Sequence, residues 1–487
     1  MAAFDEIRNS RIEKMNKLRA KGINPFPAKT NREYSLAKTI ANFKKLSNEK
    51  SLTIAGRVMA IRGQGALIFF NLNDGTATFQ ALLKKDEMSA EVFDLFVDTV
   101  DIGDFVEISG LLFVTKKGQQ TLQVKDWKML TKSLRPLPDK WDGLQDEEER
   151  LRKRYLDILC NPEVREMVEK RSKFWSAIRD FLLAQNFMEV ETPILENTTG
   201  GADAKPFITH HNALNMEVFL RISPELWLKK LMVAGFPKVF EIGRIFRNEG
   251  MDAEHLQDYT QMECYQAYSD YTEGMKFVEE MYKHIAEKTF QTLKFKIKDF
   301  DIDLGKKWET YDYTETIKKM TGVDIAKVDL KTVENKLREL KVEYDSKNGF
   351  NLARGIDNLW KYCRKQIAGP GFLINVPVMM EPLAKRMEDN NNLVERFQVI
   401  LAGSEMGKGF SELNDPLDQS DRFMEQEKLR NSGDDEAQMN DTSFVEALEH
   451  GMPPTFGFGI SERLFSFLMN KSVRDCQIFP LLKPKKN

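Results

Sequence analysis

"KVFEIGRIFRNEGMDAEHLQDYTQMECYQAY", residues 238–268, reads as two alternating runs around a polar loop. Successive side chains of a strand point to opposite faces. On the first run Glu241, Gly243, Ile245 and Arg247 therefore share a face, and on the second Tyr259, Gln261, Glu263 and Tyr265 do. The pair predicts a hairpin. If its faces coincide, one floor holds a guanidinium, two aromatic rings and a carboxylate. An acid flanked by Met262, Cys264 and Tyr265 is either partnered or functional, because a lone buried carboxylate is costly. Two readings stand at this point: a structural Arg247–Glu263 ion pair, or a binding site.

The same pattern continues on both sides. Upstream, "EMVEKRSKFWSAIRDFLLAQNF" has helical periodicity, "MEVETPIL" predicts a strand and "TTGGADAKPF" a Gly-rich loop. "MEVFLRI" predicts a strand, and "SPELWLKKLMVAGF" a helix with Ser223 as its cap and Pro224 in its first turn. Downstream, "FLINVPV", "RFQVILAGSEMGKGFSEL" and "FGFGISERLFSFLMN" resume the sheet after a less regular stretch at 295–375. Strands joined mainly by hairpins predict a large antiparallel sheet flanked by helices, an α+β domain over residues 151–487. Residues 51–133 are different: five short strand-like runs, with the helical "AEVFDLFVDTV" between the third and fourth, which is the order of an OB-fold β-barrel. In it Ile68, Phe70 and Leu72 face the core, leaving Phe69 outward beside an outward Gln80, with Arg62 preceding. That set suits base stacking or, equally, cover for a second apolar layer. The proline-punctuated stretch at 134–150 predicts a linker.

Composition narrows the class. The 487 residues include four scattered cysteines without a CxxC pair, which argues against a disulfide framework or zinc site. No apolar run approaches the ~18 residues of a membrane span, and the charged start lacks a secretory h-region, so a cytoplasmic protein is expected. Net charge is -3, yet residues 1–50 hold twelve Lys plus Arg against five Asp plus Glu, or +7, leaving -10 for the rest. This basic N-terminal extension reads either as a handle for a polyanion or as a solvated amphipathic helix with Phe4, Ile7, Ile12, Met15 and Leu18 on one side.

Two further clusters carry chemistry. "GSEMGKGFSELND" sets Glu405 and Glu412 in a glycine-rich strand context, where acids near a nucleotide suggest Mg²⁺. It is not a phosphate-binding P-loop: Gly403 and Gly407 are too close together, and Gly409 rather than a hydroxyl follows Lys408. In "GFGISERLFSF" Arg463 opens an apolar helix, where phosphate is favoured.

Taken together, "FMEVETPIL", "FEIGRIFRNEG…H…YTQME" and the Gly-rich strand into "ERL" resemble the signature set of class II aminoacyl-tRNA synthetases. "LTKSLRPLPDKWDGLQDEEERLRKRYLDIL", "PFITHHNALNMEVFLRISPELWLKKLMVAGF" and "GFSELNDPLDQSDRF" are similar to its OB-fold-bearing, lysine-activating branch, the lysyl-tRNA synthetases. The likeness runs from residue 50 to the end. It implies an OB-fold barrel followed by a class II catalytic domain that joins L-lysine to ATP as lysyl-adenylate. Transfer to the 3′ end of tRNA(Lys) then releases AMP, pyrophosphate having left earlier. It also implies Mg²⁺ with the ATP, no membrane partner, and a homodimer with "FMEVETPIL" and its preceding helix at the interface, marked by Pro193.

Residue by residue, the resemblance implies that Arg247 and Arg463 carry the catalytic charge. Arg247 would hold the α-phosphate and amino-acid carboxylate, Glu249 the adenine amino group, and His255 the terminal phosphates. Tyr259, where Phe is usual, would sandwich adenine with Arg463; Glu405 and Glu412 would serve Mg²⁺–ATP and substrate. Gly201 and Glu225 would take the lysine α-ammonium, and Glu412, Tyr265 and Glu263 the ε-ammonium. Arg62, Phe69 and Gln80 match anticodon-reading positions. There are departures: Gln398 stands where a Mg²⁺-binding glutamate is common, Lys408 replaces an asparagine that usually touches the substrate carboxylate, and Glu254 sits where an arginine is common. Three carboxylates and a phenol tolerate one another only around a cationic guest. The alternatives are an aspartate- or asparagine-activating relative, a paralogue lysylating a protein, and a non-catalytic RNA-binding protein.

Overall fold

The computed structural model describes residues 2–48, 51–63, 65–138, 144–250, 252, 254–344, 350–431 and 438–485. One compact unit runs to Cys160 and a second starts at Asn161. The first thus includes the short helices Glu147–Arg152 and Arg154–Cys160, beyond the expected start of the second domain at 151. Part of the expected linker, residues 139–143, lies outside the described residues.

In the first unit, strands β1 (Leu52–Arg62), β2 (Leu67–Asn73), β3 (Thr78–Lys84), β4 (Phe105–Val114) and β5 (Gln120–Thr131) close a barrel in the order β1-β2-β3-β5-β4, with the helix Ala90–Thr99 between β3 and β4. Ile68, Phe70 and Leu72 are buried as their spacing predicts. The N-terminal extension shares this core: Leu18, Leu36, Phe43 and Leu46 cluster with the barrel's side chains, each such burial stabilising by roughly 1.5–3 kcal/mol. Its first helix, Ala2–Ala20, departs from the expected apolar stripe: Phe4 and Ile7 are exposed, whereas Arg11 is buried. Arg11 is held by the carbonyls of Ile102, Ser133 and Arg135, and Lys14 pairs with Asp101 at 2.6 Å. Polar anchoring, rather than an unbroken apolar face, fixes this helix.

The second unit is built on eight strands: β6 (Met188–Glu189), β7 (Lys238–Phe246), β8 (Asp258–Ala267), β9 (Glu309–Asp312), β10 (Gly371–Ile374), β11 (Arg396–Leu401), β12 (Ser404–Ser411) and β13 (Thr455–Ser461). Their order is β9-β10-β11-β12-β13-β8-β7-β6. The pairs from β10 across to β7 are antiparallel, and the outer pairs β9–β10 and β6–β7 are parallel. The hairpin forms with Glu241 opposite Glu263, Gly243 opposite Gln261 and Ile245 opposite Tyr259, so the two predicted faces are one face. The helix Tyr271–Phe290 packs on β11, β12 and β13, with Phe277 and Tyr282 against Phe456 and Phe458.

Several expectations need correction. "MEVETPIL" is not one strand: β6 joins the large sheet, while Leu195–Glu196 pairs with Met216–Leu220 in a separate three-stranded sheet. Between them Thr192 gives its amide (3.1 Å) and hydroxyl (2.6 Å) to the Glu241 carboxylate, and Pro193 has no amide to donate. The end of the Gly-rich loop continues into an unforeseen strand, Phe207–His211. The stretch at 295–375 holds a hairpin, Lys294–Ile297 with Phe300–Asp303, and supplies β9 and β10. Ser223 lies one residue before the cap position, which is Pro224, although its hydroxyl still accepts the Glu225 amide at 3.2 Å.

Candidate active site

Loop residues 201–203, the helix Glu225–Val233 and strands β8, β11, β12 and β13 surround a cavity of about 420 Å³, a volume suited to a small-molecule site. Gly201, Glu225, Arg247, Glu249, His255, Tyr259, Glu263, Tyr265, Gln398, Glu405, Lys408, Glu412 and Arg463 all line it. Every catalytic, ATP-, lysine- or metal-binding candidate of the second unit is therefore in one place.

Its acidic end is nearly dry. Glu225, Glu263 and Glu412 are 6%, 4% and 1% exposed. Glu263 accepts from Ser223 Oγ at 2.7 Å, from Tyr265 Oη at 2.9 Å and from the Gln261 amide. These neutral donors oppose but do not cancel burial, which, with the neighbouring Glu225, pushes its carboxyl up to about 7. Burial likewise raises Glu412, with Glu225 and Glu263 adding to the effect. The Arg247–Glu263 ion pair considered from sequence does not form. Instead the Arg247 Nε donates to the Ile222 carbonyl at 3.3 Å, and its guanidinium lies 5.7 Å from the Tyr259 ring centre. The buried ion pair at Glu241 is made instead with Arg221, which follows the strand Met216–Leu220, at 2.6 Å, and within the hairpin itself Arg244 pairs with Asp258.

Sequence reasoning missed Lys229. It is fully buried, donates to Glu225 Oε1 at 2.6 Å and faces Glu412 Oε2. Burial alone would lower its ammonium, but Glu225 and Glu412 outweigh that and hold it up at about 12. The available signal was its spacing four residues after Glu225, which also describes an ordinary surface pair. Glycines make the room. Gly201 has φ +84°, and a Cβ there would come within 2.8 Å of Glu225 Cβ; a Cβ at Gly457 would lie 1.9 Å from Glu412 Oε1.

The rest of the lining alternates cations with acids. Arg463 pairs with Glu254 and donates to the Glu405 carbonyl at 3.3 Å. Although burial opposes it, Arg463 and then Lys298 hold the Glu254 carboxyl below its ordinary value. His255 is exposed, its Nδ1 2.8 Å from Asp252; Met251 and Ala253 of this loop lie outside the described residues. Glu405 Oε1 accepts from Trp360 Nε1 at 2.7 Å and lies 3.7 Å from Arg364 Nε. Lys408 pairs at 2.8 Å with Glu381, which also faces Arg396 at 3.2 Å. Despite its burial these two cations hold Glu381 below the usual carboxylate range. Gln398 accepts from Arg396. Among the described residues no three His, Cys, Asp or Glu side chains form a metal cluster.

In the barrel Arg62 lies directly opposite Phe69, and Gln80 opposite Asn71, so the three occupy one face across β1, β2 and β3. Arg62 is exposed, Phe69 and Gln80 half-buried, and the Gln80 amide donates to Thr121 Oγ1 at 2.8 Å.

Comparison with known proteins agrees with both units. Residues 146–483 match the family described as tRNA synthetases class II (D, K and N), and residues 52–130 match the OB-fold nucleic acid binding domain. A lysine–tRNA ligase of Thermotoga maritima is 42% identical over 99% of this chain and 97% of its own length. One from Carboxydothermus hydrogenoformans is 42% identical over 99% of both chains, and one from Roseiflexus sp. is 41% identical over 99% of both.

Proposed function

The chain belongs to the class II tRNA synthetases of the D, K and N group, and from that premise we propose that it ligates lysine to tRNA(Lys). The observation that carries lysine over aspartate or asparagine is the set of three buried carboxylates at one end of the cavity. An aspartate side chain would add a fourth negative charge, and asparagine would leave the acids uncompensated. Lysine supplies two ammoniums. Its α-ammonium suits Glu225 beside Gly201, and its ε-ammonium suits Glu263, Tyr265 and Glu412.

Chemistry then needs positioning and charge rather than a protein nucleophile. With the ammoniums anchored, the lysine carboxylate is presented beside Arg247 for in-line attack on the α-phosphorus, and pyrophosphate leaves. Arg247 stabilises the charge that develops, and Arg463 and Tyr259 hold the adenine between them. Glu249 and His255, on the same rim, suit the adenine amino group and the outer phosphates. The tRNA 3′-terminal hydroxyl next attacks the lysyl-adenylate carbonyl, releasing AMP. Lys408 is tied to Glu381, so Arg247 is the main partner for the substrate carboxylate.

Mg²⁺ fits this site as a companion of ATP rather than as a resident ion, since it commonly takes one or two carboxylates plus phosphate oxygens. The side-chain contacts of Glu405 with Trp360 and Arg364 both run to Oε1, which makes Glu405, with Gln398 in the same lining as a neutral ligand, the residue suited to hold it. Bound there, Mg²⁺ would neutralise phosphate charge. Glu412 suits the ammonium instead, because it is buried beside Lys229.

The barrel face of Arg62, Phe69 and Gln80 suits anticodon bases by stacking and edge contact. A cytoplasmic homodimer completes the reading. No helix among the described residues is long and apolar enough to cross a membrane, and Met188, Ile194 and Leu195 expose apolar surface around Pro193, as a subunit interface requires. The test is pyrophosphate exchange into ATP. It should depend on lysine and fall at least about a hundredfold in Arg247→Ala; equal exchange with aspartate or asparagine would overturn the assignment.

A further inference from the structure

We propose that Lys229 is a positioning residue for amino-acid specificity: a built-in cation that ties Glu225 to Glu412 and sets the pocket's charge deficit at what a lysine molecule supplies. The proposal rests on the lysine-ligase reading and deepens it. Lys229 is 0% exposed, 2.6 Å from Glu225 Oε1, and faces Glu412 Oε2. Its ammonium also sits 5.3 Å from the Phe410 ring centre and 5.9 Å from that of Phe444, so aromatic faces confine it. It does not reach the substrate space itself, since it is absent from the cavity lining while both of its carboxylate partners belong to it.

The charge count gives this arrangement its meaning. With a guest bound and the acids ionised, Glu225, Glu263 and Glu412 bring three negative charges and Lys229 one positive, leaving two. A lysine whose carboxylate is neutralised by Arg247 brings two ammoniums, and the sum is zero. An α-amino acid with an uncharged side chain brings one and leaves a buried carboxylate uncompensated, which is costly. Lys229 also fixes geometry. Glu225 comes from the helix Glu225–Val233, and Glu412 follows directly on β12; one ammonium between them sets the distance from the α-ammonium site to the ε-ammonium site. Lys229 meets Glu412 at Oε2, and Oε1 accepts from no described residue, so the carboxylate keeps an oxygen for the guest.

The experiment compares Lys229→Met, which keeps the apolar stem and removes the charge, with Lys229→Arg, which keeps the charge. Both are assayed by pyrophosphate exchange with lysine and ATP varied separately. The expected result is a KM for lysine raised at least about 30-fold in Lys229→Met, with the KM for ATP within about twofold of the parent. Lys229→Arg should recover most of the lysine affinity. If the methionine variant binds lysine as well as the parent, or the arginine variant is the worse of the two while its ATP KM is normal, side-chain packing rather than charge matters and the proposal fails. If Lys229→Met does not fold, Lys229→Arg decides alone: a KM for lysine within about tenfold of the parent supports the proposal, and a larger rise with a normal ATP KM overturns it. Absence of lysine-dependent exchange in the parent enzyme would instead overturn the functional assignment, so the two failures are distinct.

Discussion

Glu263 shows how much a single position depends on its surroundings. Its alternation with Gln261 and Tyr265 placed it on the correct face from sequence, and its apolar neighbours marked it as exceptional. Its donors were less legible, because Ser223 lies on a different segment that only folding brings to 2.7 Å. Lys229 was not distinguishable from a surface lysine. In "ELWLKK" two adjacent lysines look alike, yet Lys230 reaches exposed Ser443 while Lys229 is sealed beneath β12 and the helix Thr442–Glu449. Burial separates them, and burial is a tertiary property. The shift at Glu263 carries a prediction. With its carboxyl raised to about 7 by burial and Glu225, and with Glu412 and Tyr265 also facing it, the site holds a proton at lower pH that an ammonium guest must expel. Lysine affinity should therefore rise as pH increases through about 7, changing by up to about tenfold per pH unit below that point. Calorimetric titration of lysine at several pH values measures this; a flat dissociation constant across that range would mean Glu263 is already ionised.

Elements were legible where periodicity was long and uninterrupted. The hairpin of β7 and β8 and the five barrel strands fall where alternation put them. Those that sequence merged or missed are short: β6 and Leu195–Glu196, read as one strand, have two residues each, and the unforeseen strands at Phe207–His211 and Glu309–Asp312 have five and four. Such pieces carry too few repeats to show a period, and they are strands because partners impose it. The barrel face offers a test at this scale. Phe69 lies on β2 with Arg62 directly across, outside the barrel core and in a different unit from the cavity. Phe69→Ala should reduce tRNA charging by about tenfold or more, since one stacked base is worth ~1–3 kcal/mol, while lysine-dependent pyrophosphate exchange stays within about twofold. A parallel loss of both activities would mean that Phe69 supports the fold rather than the RNA.

Over the whole chain, the sequence carried the two-unit plan, the α+β character and the clustering of the site. It did not carry the role of the N-terminal extension, whose Leu18, Leu36, Phe43 and Leu46 complete the barrel core while Arg11 is buried as a polar anchor and most of its other charges remain on the surface. Exposed apolar side chains are the other large-scale feature. Met188, Ile194 and Leu195 are each between 42% and 48% exposed on one chain, and a subunit interface would cover them. Ile194→Asp is expected to shift the protein from dimer to monomer in sedimentation at micromolar concentration, whereas an unchanged dimer would place the interface elsewhere.

The central claim is that a buried, negatively charged cavity end selects an amino acid with a cationic tip. Exchange supported by L-lysine and by L-norleucine, which has the same aliphatic chain without the ε-ammonium, tests it most directly. The account predicts a kcat/KM for lysine at least about a thousandfold higher, shrinking sharply in Glu412→Gln. Norleucine within about tenfold of lysine would contradict it, because shape rather than charge would then be doing the choosing.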